Sequence, residues 1–338
     1  KQEKIDRTLI KLDNTASKKN LGANAILAVS LVCARAGAKQ EKKELYQYLS
    51  DSFKFGKYKY ALPTPAFNIF NGGKHADTNL DFQEFWILPS GKDSFSDKVR
   101  AGAETFHQLS NVLQEAGYDT DVGAEGGYAP DISSSVQAIE LIMAASMEAG
   151  YKPGRDIYLG TDVGSSELYH ESTGKYIFKL DQAQFTTDTL IGLYYEWFRK
   201  YPMIAIEDGL AQNDWKGWGE LTRELGDELL IIGDDLFTTN ENRLRKGLKE
   251  KTANTILIKP NQVGTLWETV NCIKLAQKHN YKIMVSHRSG ETCDDLIADL
   301  AVACRASYIK SGSLSRGERV AKYNRLMEIE EDLNNKEK

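Results

Sequence analysis

The sequence predicts an α/β protein whose strands close into a parallel barrel. Between residues 157 and 310 lie six short apolar runs rich in β-branched residues, and a helix-length stretch follows each run. Every run ends in polar or charged residues, and from residue 207 onward these ends recur about every 23 to 28 residues. That interval fits one strand, one helix and two turns, so we expect the strand ends to share one mouth.

Residues 1–60 are expected to be the helical remainder of a flanking domain, and residues 61–338 the barrel. Helical patterns cover residues 1–12, 21–39 and 45–53. Because the chain has no initiating methionine and opens inside a helical pattern, we expect the natural N-terminus to lie upstream.

The segments between the first helices and the six runs complete the predicted order ββαα(βα)6. They are two strands, at 64–70 and 82–88, and two helices, at 97–116 and 134–149. A loop with three glycines, at 121–130, joins the two helices. We also expect a hairpin within residues 167–180, after the third strand, and a last helix over residues 319–332.

Composition and charge argue against several classes of protein. The 43 basic and 48 acidic residues give a net charge of −5, and no basic stripe is interleaved with aromatic residues, so we expect no nucleic-acid groove. Residues 23–38 form the longest weakly polar stretch, but polar residues interrupt it and it falls short of the roughly 20 apolar residues that span a bilayer. It is expected to be a buried helix.

The four cysteines show no CxxC spacing, and two of them lie within predicted helices. We expect reduced core thiols in a cytoplasmic protein. They are Cys33, Cys272, Cys293 and Cys304.

Acidic residues end three consecutive strands: Asp162, Glu207 and Asp234. Three carboxylates brought together would repel one another, and a hard divalent cation such as Mg²⁺ removes that cost. A strand-end salt bridge or a helix cap explains any one of these acids alone, but explains three successive ones less well. Asp208 and Asp235 follow two of them and could cap the next turn or hydrogen-bond the ligands.

Lysines end two later strands. Lys259 is expected to be buried in the barrel mouth beside cationic groups, which would lower its pKa and make it a general base. The alternative is a lysine that only neutralises the acidic cluster. Lys310 carries the same ambiguity, with binding of a substrate carboxylate as its functional role.

The run Ser286–Glu291 places His287, Arg288 and Ser289 ahead of a helix. Arg288 could hold a phosphate with two hydrogen bonds, while Ser289 and nearby amides bind further anionic oxygens. A capping serine beside an exposed arginine is the alternative. His75, alone in its glycine loop, is a weaker candidate, since such residues are usually structural.

Two glutamates could supply a general acid. Glu125 lies among the glycines of the 121–130 loop, and Glu84 follows Gln83 on the second strand. Carboxyl groups that face a metal-bound substrate can share a proton. For Glu84, an outward-facing strand position is the alternative.

The motifs taken together resemble the enolase family over essentially the whole chain. In chain order these motifs are Asn71–Ala76, Gln83–Phe85, Glu125–Gly127, Ser165–Glu167, Ile206–Asp208, Asp234–Leu236, Lys259–Gln262, Ser286–Thr292 and Ile309–Gly312. The segment Leu21–Ile26 is similar to the end of the family's N-terminal α+β domain. The resemblance implies an enolase-like barrel that reversibly dehydrates 2-phosphoglycerate to phosphoenolpyruvate, as a cytoplasmic homo-oligomer, either a dimer or an octamer.

The resemblance also implies roles for the candidate residues. Asp162, Glu207 and Asp234 would hold the first of two Mg²⁺ ions. Lys259 would remove the proton from carbon 2, and Glu125 with Glu84 would assist departure of the hydroxyl from carbon 3. Substrate binding is implied for the remaining candidates: His75, Gln83, His287, Arg288, Ser289 and Lys310. His287 is also expected to take part in catalysis.

Two departures from the family pattern support an alternative. The family usually carries an acid before the catalytic glutamate, where this chain has Ala124. The second Mg²⁺ is expected to need both substrate and the glycine-rich serine loop of the family's N-terminal domain. That loop is expected to be absent. A catalytically impaired, enolase-like binding protein is therefore one alternative. Another is a relative that acts on a nonphosphorylated acid, which Lys259 and the His-Arg-Ser-Gly run disfavour.

Overall fold

A computed structural model of the chain describes residues 1–56, 59–92 and 94–337. The first part is helical, as predicted, with α1 at Gln2–Asp13, α2 at Ala23–Gln40 and α3 at Leu45–Phe53. Only one face of α2 is buried, so the expectation of a wholly buried helix is wrong: Val29 and Val32 are exposed.

Eight strands form a closed barrel, which confirms the predicted α/β fold. These strands are β1 (Thr64–Asn71), β2 (Glu84–Leu88), β3 (Tyr158–Asp162), β7 (Met203–Glu207), β8 (Leu230–Gly233), β9 (Thr255–Ile258), β10 (Lys282–Ser286) and β11 (Tyr308–Lys310). A separate sheet contains β4 (Tyr169–His170), β5 (Lys175–Phe178) and β6 (Ala183–Phe185). The antiparallel pair of β4 and β5 is the hairpin predicted within residues 167–180, and β6 adds a third strand beyond it.

One strand departs from the predicted all-parallel barrel. β2 runs antiparallel to both of its neighbours, β1 and β3, whereas the other adjacent barrel strands are parallel. The segment between β1 and β2 contains one short 3-10 turn, Gly73–His75, and lacks the α-helix that usually connects two parallel strands. As a result Glu84 reaches the barrel mouth from the start of its strand.

The remaining helices surround the barrel or shape its loops. They are α4 (Phe95–Glu115), α5 (Ser135–Glu148), α6 (Ser165–Leu168), α7 (Thr187–Lys200), α8 (Trp215–Leu225), α9 (Glu241–Glu250), α10 (Pro260–Val263), α11 (Leu266–Lys278), α12 (Leu296–Ala303) and α13 (Gly317–Glu337). The last helix is longer at both ends than the predicted 319–332.

Side-chain alternation separates two layers of the core. Eight buried side chains pack together inside the barrel: Ala66, Trp86, Leu88, Ala205, Leu230, Ile232, Leu257 and Met284. Their neighbours along the strands, such as Ile206 and Ile231, belong to the larger cluster that also includes the helices. A residue two positions beyond an inward-facing one also faces the axis, which directs Glu207, Asp234 and Lys259 into the mouth.

The cysteines differ from the predicted set of core thiols. Cys272 and Cys304 are buried, but Cys33 is partly exposed and Cys293 is exposed, and all four are free thiols. Cys304 caps the C-terminus of α12 and does not lie within it. In the described residues, no helix has the length and apolar character needed to cross a bilayer.

Candidate active site

A cavity of about 460 Å³ lies at the barrel mouth, where the parallel strands end and β2 begins. Of the residues singled out in the sequence, all but Glu207 line it. Glu207 lies fully buried beside the cavity and contacts one of its lining residues, Lys310. The tertiary structure therefore brings the predicted residues to a single site.

Lys310 is the cation at the centre of the acidic side of the cavity. Its Nζ lies 2.8 Å from Glu207 Oε1, 3.2 Å from Glu84 Oε1 and 3.3 Å from Asp162 Oδ2. Burial lowers the pKa of Lys310, but the three carboxylates outweigh burial and raise it well above its usual range. Lys310 is therefore protonated in this arrangement.

Glu207 remains electrostatically unfavourable despite its contact with Lys310. Burial and the charge of Asp162 raise the pKa of Glu207 well above its usual value. Glu207 Oε2 is buried and has no hydrogen-bond partner in the described residues. An oxygen donor in this state, among further carboxylates, suits a hard divalent cation.

Lys259 lies on the other side of the cavity and donates a hydrogen bond to Asp234 Oδ2. Burial lowers the pKa of Lys259, but the contact with Asp234 outweighs burial, and the net shift of the pKa is upward. This direction is opposite to the lowered pKa expected from the sequence. The reason is that Lys259 contacts a carboxylate directly, while its cationic neighbour contributes less.

Asp208 shapes the loop that carries Asp234. Its two carboxylate oxygens accept hydrogen bonds from the backbone N–H groups of Asp234 and Asp235, at 3.0 and 2.9 Å. Asp208 itself has a left-handed backbone, with φ of 42°. Its position agrees with the supporting role considered from the sequence.

Two groups of ligand-type side chains are compact in the described part of the chain. The ligand atoms of His75, Glu84 and Glu125 all lie within 4.8 Å of one another, as do those of Asp208, Asp234 and Asp235. In the described residues, the ligand atoms of the predicted triad, Asp162, Glu207 and Asp234, do not all lie within 4.8 Å of one another. Its members lie on adjacent strands, with Asp162 paired to Glu207 in register, and the two lysines occupy the space between the carboxylates.

Glu125 is fully buried and accepts hydrogen bonds on both carboxylate oxygens. Asn68 Nδ2 lies 3.0 Å from Oε2, and Ser289 Oγ lies 3.0 Å from Oε1. His287 Nε2 is 3.3 Å from Oε2. Burial raises the pKa of Glu125, but its contact with His287 and the nearby His75 and Lys310 lower it to well below its usual range. Asn68 was not identified from the sequence, because an asparagine inside a strand carries no distinctive signal.

His75 connects the two glutamates. Its Nδ1 lies 3.3 Å from Glu84 Oε1 and 3.6 Å from Glu125 Oε1. Burial lowers the pKa of His75, but the nearby carboxylates of Glu84 and Glu125 raise it to about 9. Trp86 Nε1 donates to the other oxygen of Glu84 at 2.5 Å, which fixes that carboxylate facing inward.

The rim of the cavity is more exposed. Arg288 and Ser289 are exposed, and Arg288 Nη1 lies 3.3 Å from Asn261 Oδ1. Gln83 lines the opposite edge. Lys74 and Glu167, which the sequence did not single out as site residues, form a 2.6 Å ion pair at the same rim. The rim thus offers exposed polar groups above a buried, charged floor.

Comparison with known protein families agrees with this architecture. The family model for the enolase C-terminal TIM barrel domain matches residues 59–338, and that for the enolase N-terminal domain matches residues 1–49. The chain belongs to the enolase family. This membership confirms the resemblance drawn from the sequence motifs, and the closed barrel with an antiparallel second strand is the enolase-type barrel of this chain.

Proposed function

We propose that this protein catalyses the reversible, Mg²⁺-dependent dehydration of 2-phosphoglycerate to phosphoenolpyruvate. One observation carries the proposal: Lys259 and the Glu84–Glu125 pair line the same cavity, on opposite sides of Lys310 and the acidic strand ends. A base and an acid on opposite sides of one substrate are what this elimination requires. Membership in the enolase family supports the same hydro-lyase reaction.

In this proposal Asp162, Glu207 and Asp234 hold the first Mg²⁺. Their oxygen donors fit, because Glu207 has an unpartnered buried oxygen and an unfavourable charge that a cation would relieve. The bound cation would supply positive charge that stabilises the dianion formed when carbon 2 loses its proton. A second Mg²⁺ is expected together with substrate.

Lys259 is the proposed base. In the structure it donates to Asp234 and is therefore protonated. A cation held by Asp234 would offset the charge of that carboxylate, and the pKa of Lys259 would then fall. The neutral amine then accepts the proton from carbon 2.

Glu125 is the proposed acid, with Glu84 beside it. The pKa of Glu125 is lowered in this arrangement, so a substrate hydroxyl that displaces part of its hydrogen-bond network is needed before it carries a proton. A further negative charge brought close to Glu125 would raise the proton affinity of the Glu125 carboxylate. Glu125 then protonates the hydroxyl that leaves carbon 3.

The remaining candidates are proposed to bind substrate. Lys310 faces the substrate carboxylate from the floor, and Arg288 with Ser289 binds the phosphate from the rim. His75, Gln83 and His287 lie between these positions and orient the substrate, and His287 also takes part in catalysis.

The test follows absorbance at 240 nm with 2-phosphoglycerate and Mg²⁺. We expect turnover that EDTA abolishes, and Lys259→Ala is expected to remove turnover while Mg²⁺ binding, measured by calorimetry, persists. Lys282→Ala is the matched control, because this exposed lysine lies at the start of its barrel strand, at the opposite end from the mouth. Unchanged turnover in Lys259→Ala would overturn the assignment of the base.

Ala124 favours a second candidate, an enolase-like protein that binds ligands with impaired turnover. Ala124 is exposed, its backbone N–H donates to His75 O, and its carbonyl oxygen accepts from Arg319. Calorimetric binding of Mg²⁺ and phosphoenolpyruvate without turnover would establish this candidate in place of the first. From family membership we also propose a cytoplasmic homo-oligomer, either a dimer or an octamer, with a division into residues 1–60 and 61–338.

A further inference from the structure

Arg319 is a fully buried arginine at the start of α13, with 1% of its surface exposed. Arg319 carries no distinctive signal in the sequence, because a charged residue in the first turn of a helix is usually solvated. Its guanidinium lies instead beneath the cavity, behind His287 and the loop that carries Glu125. A buried guanidinium needs partners that compensate its charge and satisfy its N–H groups.

The two terminal nitrogens of Arg319 connect α13 to two other segments. Nη1 donates to Arg288 O at 2.7 Å and lies 2.7 Å from His287 Nδ1. Nη2 donates to Ala124 O at 2.9 Å and to Ser289 O at 2.6 Å. These nitrogens carry four N–H groups in a fixed planar fork, and the four acceptors use all of them.

The contact with His287 fixes where the imidazole proton lies. A guanidinium can only donate, so His287 Nδ1 must be the acceptor and carries no proton. The ring proton of the neutral imidazole is then on Nε2, which lies 3.3 Å from Glu125 Oε2. Arg319 thus orients a hydrogen-bond donor toward Glu125 without touching the cavity itself.

We propose that Arg319 is a positioning residue, which holds His287 in the Nε2–H form and ties the Glu125 loop to the Arg288–Ser289 loop. Its importance for turnover rests on the function proposed above, in which Glu125 is the acid. The hydrogen-bond arrangement itself does not depend on that function.

Lys is the sharpest replacement for Arg319, because it keeps the charge but offers at most three donors from one point. The matched control is Arg325→Lys, on the same helix. Arg325 is also largely buried, but it contacts Glu44, Asp299 and Glu328, away from the cavity. Both replacements are expected to lower the melting temperature, so stability alone does not separate them.

The decisive readout is the ¹⁵N spectrum of the histidine-labelled protein, in which protonated and unprotonated ring nitrogens have distinct shifts. The His287 signals are assigned from their loss in His287→Asn. In the unsubstituted protein we expect His287 with its proton on Nε2, and in Arg319→Lys a mixture of the two neutral forms. Arg325→Lys should leave these signals unchanged.

Kinetics provide the second readout. Arg319→Lys should reduce kcat about 10- to 100-fold, the usual effect of removing a partner that orients a site residue, with a smaller change in KM. Arg325→Lys should change neither. An Nδ1–H signal for His287 in the unsubstituted protein, or an unchanged His287 spectrum in Arg319→Lys, would overturn the proposal. An inactive unsubstituted protein with the expected spectrum would instead count against the proposed function alone.

Discussion

Lys310 and Glu207 form a 2.8 Å ion pair in which both side chains are almost completely buried, at 2% and 0% exposure. The same ammonium also contacts Glu84 and Asp162, so one cation serves three carboxylates. A buried charge cluster of this kind is costly unless each charge is compensated. Two predictions about cation binding follow from this imbalance.

Replacing Lys310 by Met should destabilise the protein strongly in EDTA. The change removes the shared partner of three buried carboxylates, and breaking a buried ion pair typically costs about 3–5 kcal/mol. Thermal unfolding with and without Mg²⁺ measures the effect, and Mg²⁺ should restore part of the loss. Lys282→Met, at an exposed position, is the control. Equal melting temperatures for Lys310→Met and the unsubstituted protein in EDTA would contradict this view of the cluster.

Replacing Glu207 by Gln should not destabilise the protein in EDTA, in contrast to replacing Lys310 by Met. The amide keeps an oxygen that accepts from Lys310 but removes the Glu207 carboxylate, whose pKa is raised by burial and by Asp162. The variant should therefore be no less stable than the unsubstituted protein in EDTA. It should also lose most of the Mg²⁺-dependent stabilisation, which reaches about 2.7 kcal/mol at a hundredfold excess of ligand over Kd.

The control for this prediction is Glu224→Gln, at an exposed position of α8. That variant should retain the full Mg²⁺-dependent rise in melting temperature. A Glu207→Gln protein that Mg²⁺ still stabilises normally would remove Glu207 from the proposed ligands.

Gly126→Ala should impair activity more than backbone strain alone explains. Gly126 follows Glu125 and has φ of +88°, and an added Cβ would lie 2.6 Å from Ser315 Oγ and 2.8 Å from Ser315 O. Gly117 has a similar φ of +79°, but no heavy atom lies within 4 Å of its added Cβ. Both variants carry the left-handed strain of about 1–2 kcal/mol, but only Gly126→Ala must also move the Glu125 loop.

Thermal unfolding and the 240 nm assay separate these effects. We expect Gly126→Ala to lose more stability than Gly117→Ala and to reduce kcat at least about tenfold, while Gly117→Ala keeps its kcat. Equal kcat values in the two variants would show that the Glu125 loop tolerates displacement.

The two buried cysteines, Cys272 and Cys304, should make the stability of the fold fall as the pH rises in the alkaline range. Burial raises the pKa of Cys272 and Cys304 to about 12, above the model-compound value of 9.0. Between these values the unfolded thiols ionise while the folded ones remain protonated, so the folded state binds more protons and stability falls as pH rises. A Cys272→Ala, Cys304→Ala double variant should lose less stability over this alkaline range.

Thiol labelling at pH 8 gives an independent measurement. Exposed Cys293 should react rapidly with a disulfide reagent and partly exposed Cys33 more slowly, whereas buried Cys272 and Cys304 should react only after unfolding. Cys293→Ser should remove the rapid phase. Rapid labelling of either buried thiol in the native protein would show that this part of the core opens readily.

Much of the fold could be predicted because its signals are local. The strand at 255–258 and its terminal lysine are visible from a few neighbouring residues, and the regular spacing of such units implies a barrel. Alternation along each strand then places Glu207, Asp234 and Lys259 at the mouth. The sequence by itself thus determined the order of elements, the location of the site and most of its residues.

The tertiary structure alone decided how those residues pair. Glu84 and Lys310 are 226 positions apart in the chain, and their 3.2 Å contact depends on barrel closure and on the antiparallel direction of β2. The upward pKa shift of Lys259 and the burial of Arg319 are likewise decided by partners distant in sequence. Local patterns specify backbone periodicity, whereas charge compensation depends on distances that exist only after the chain has folded.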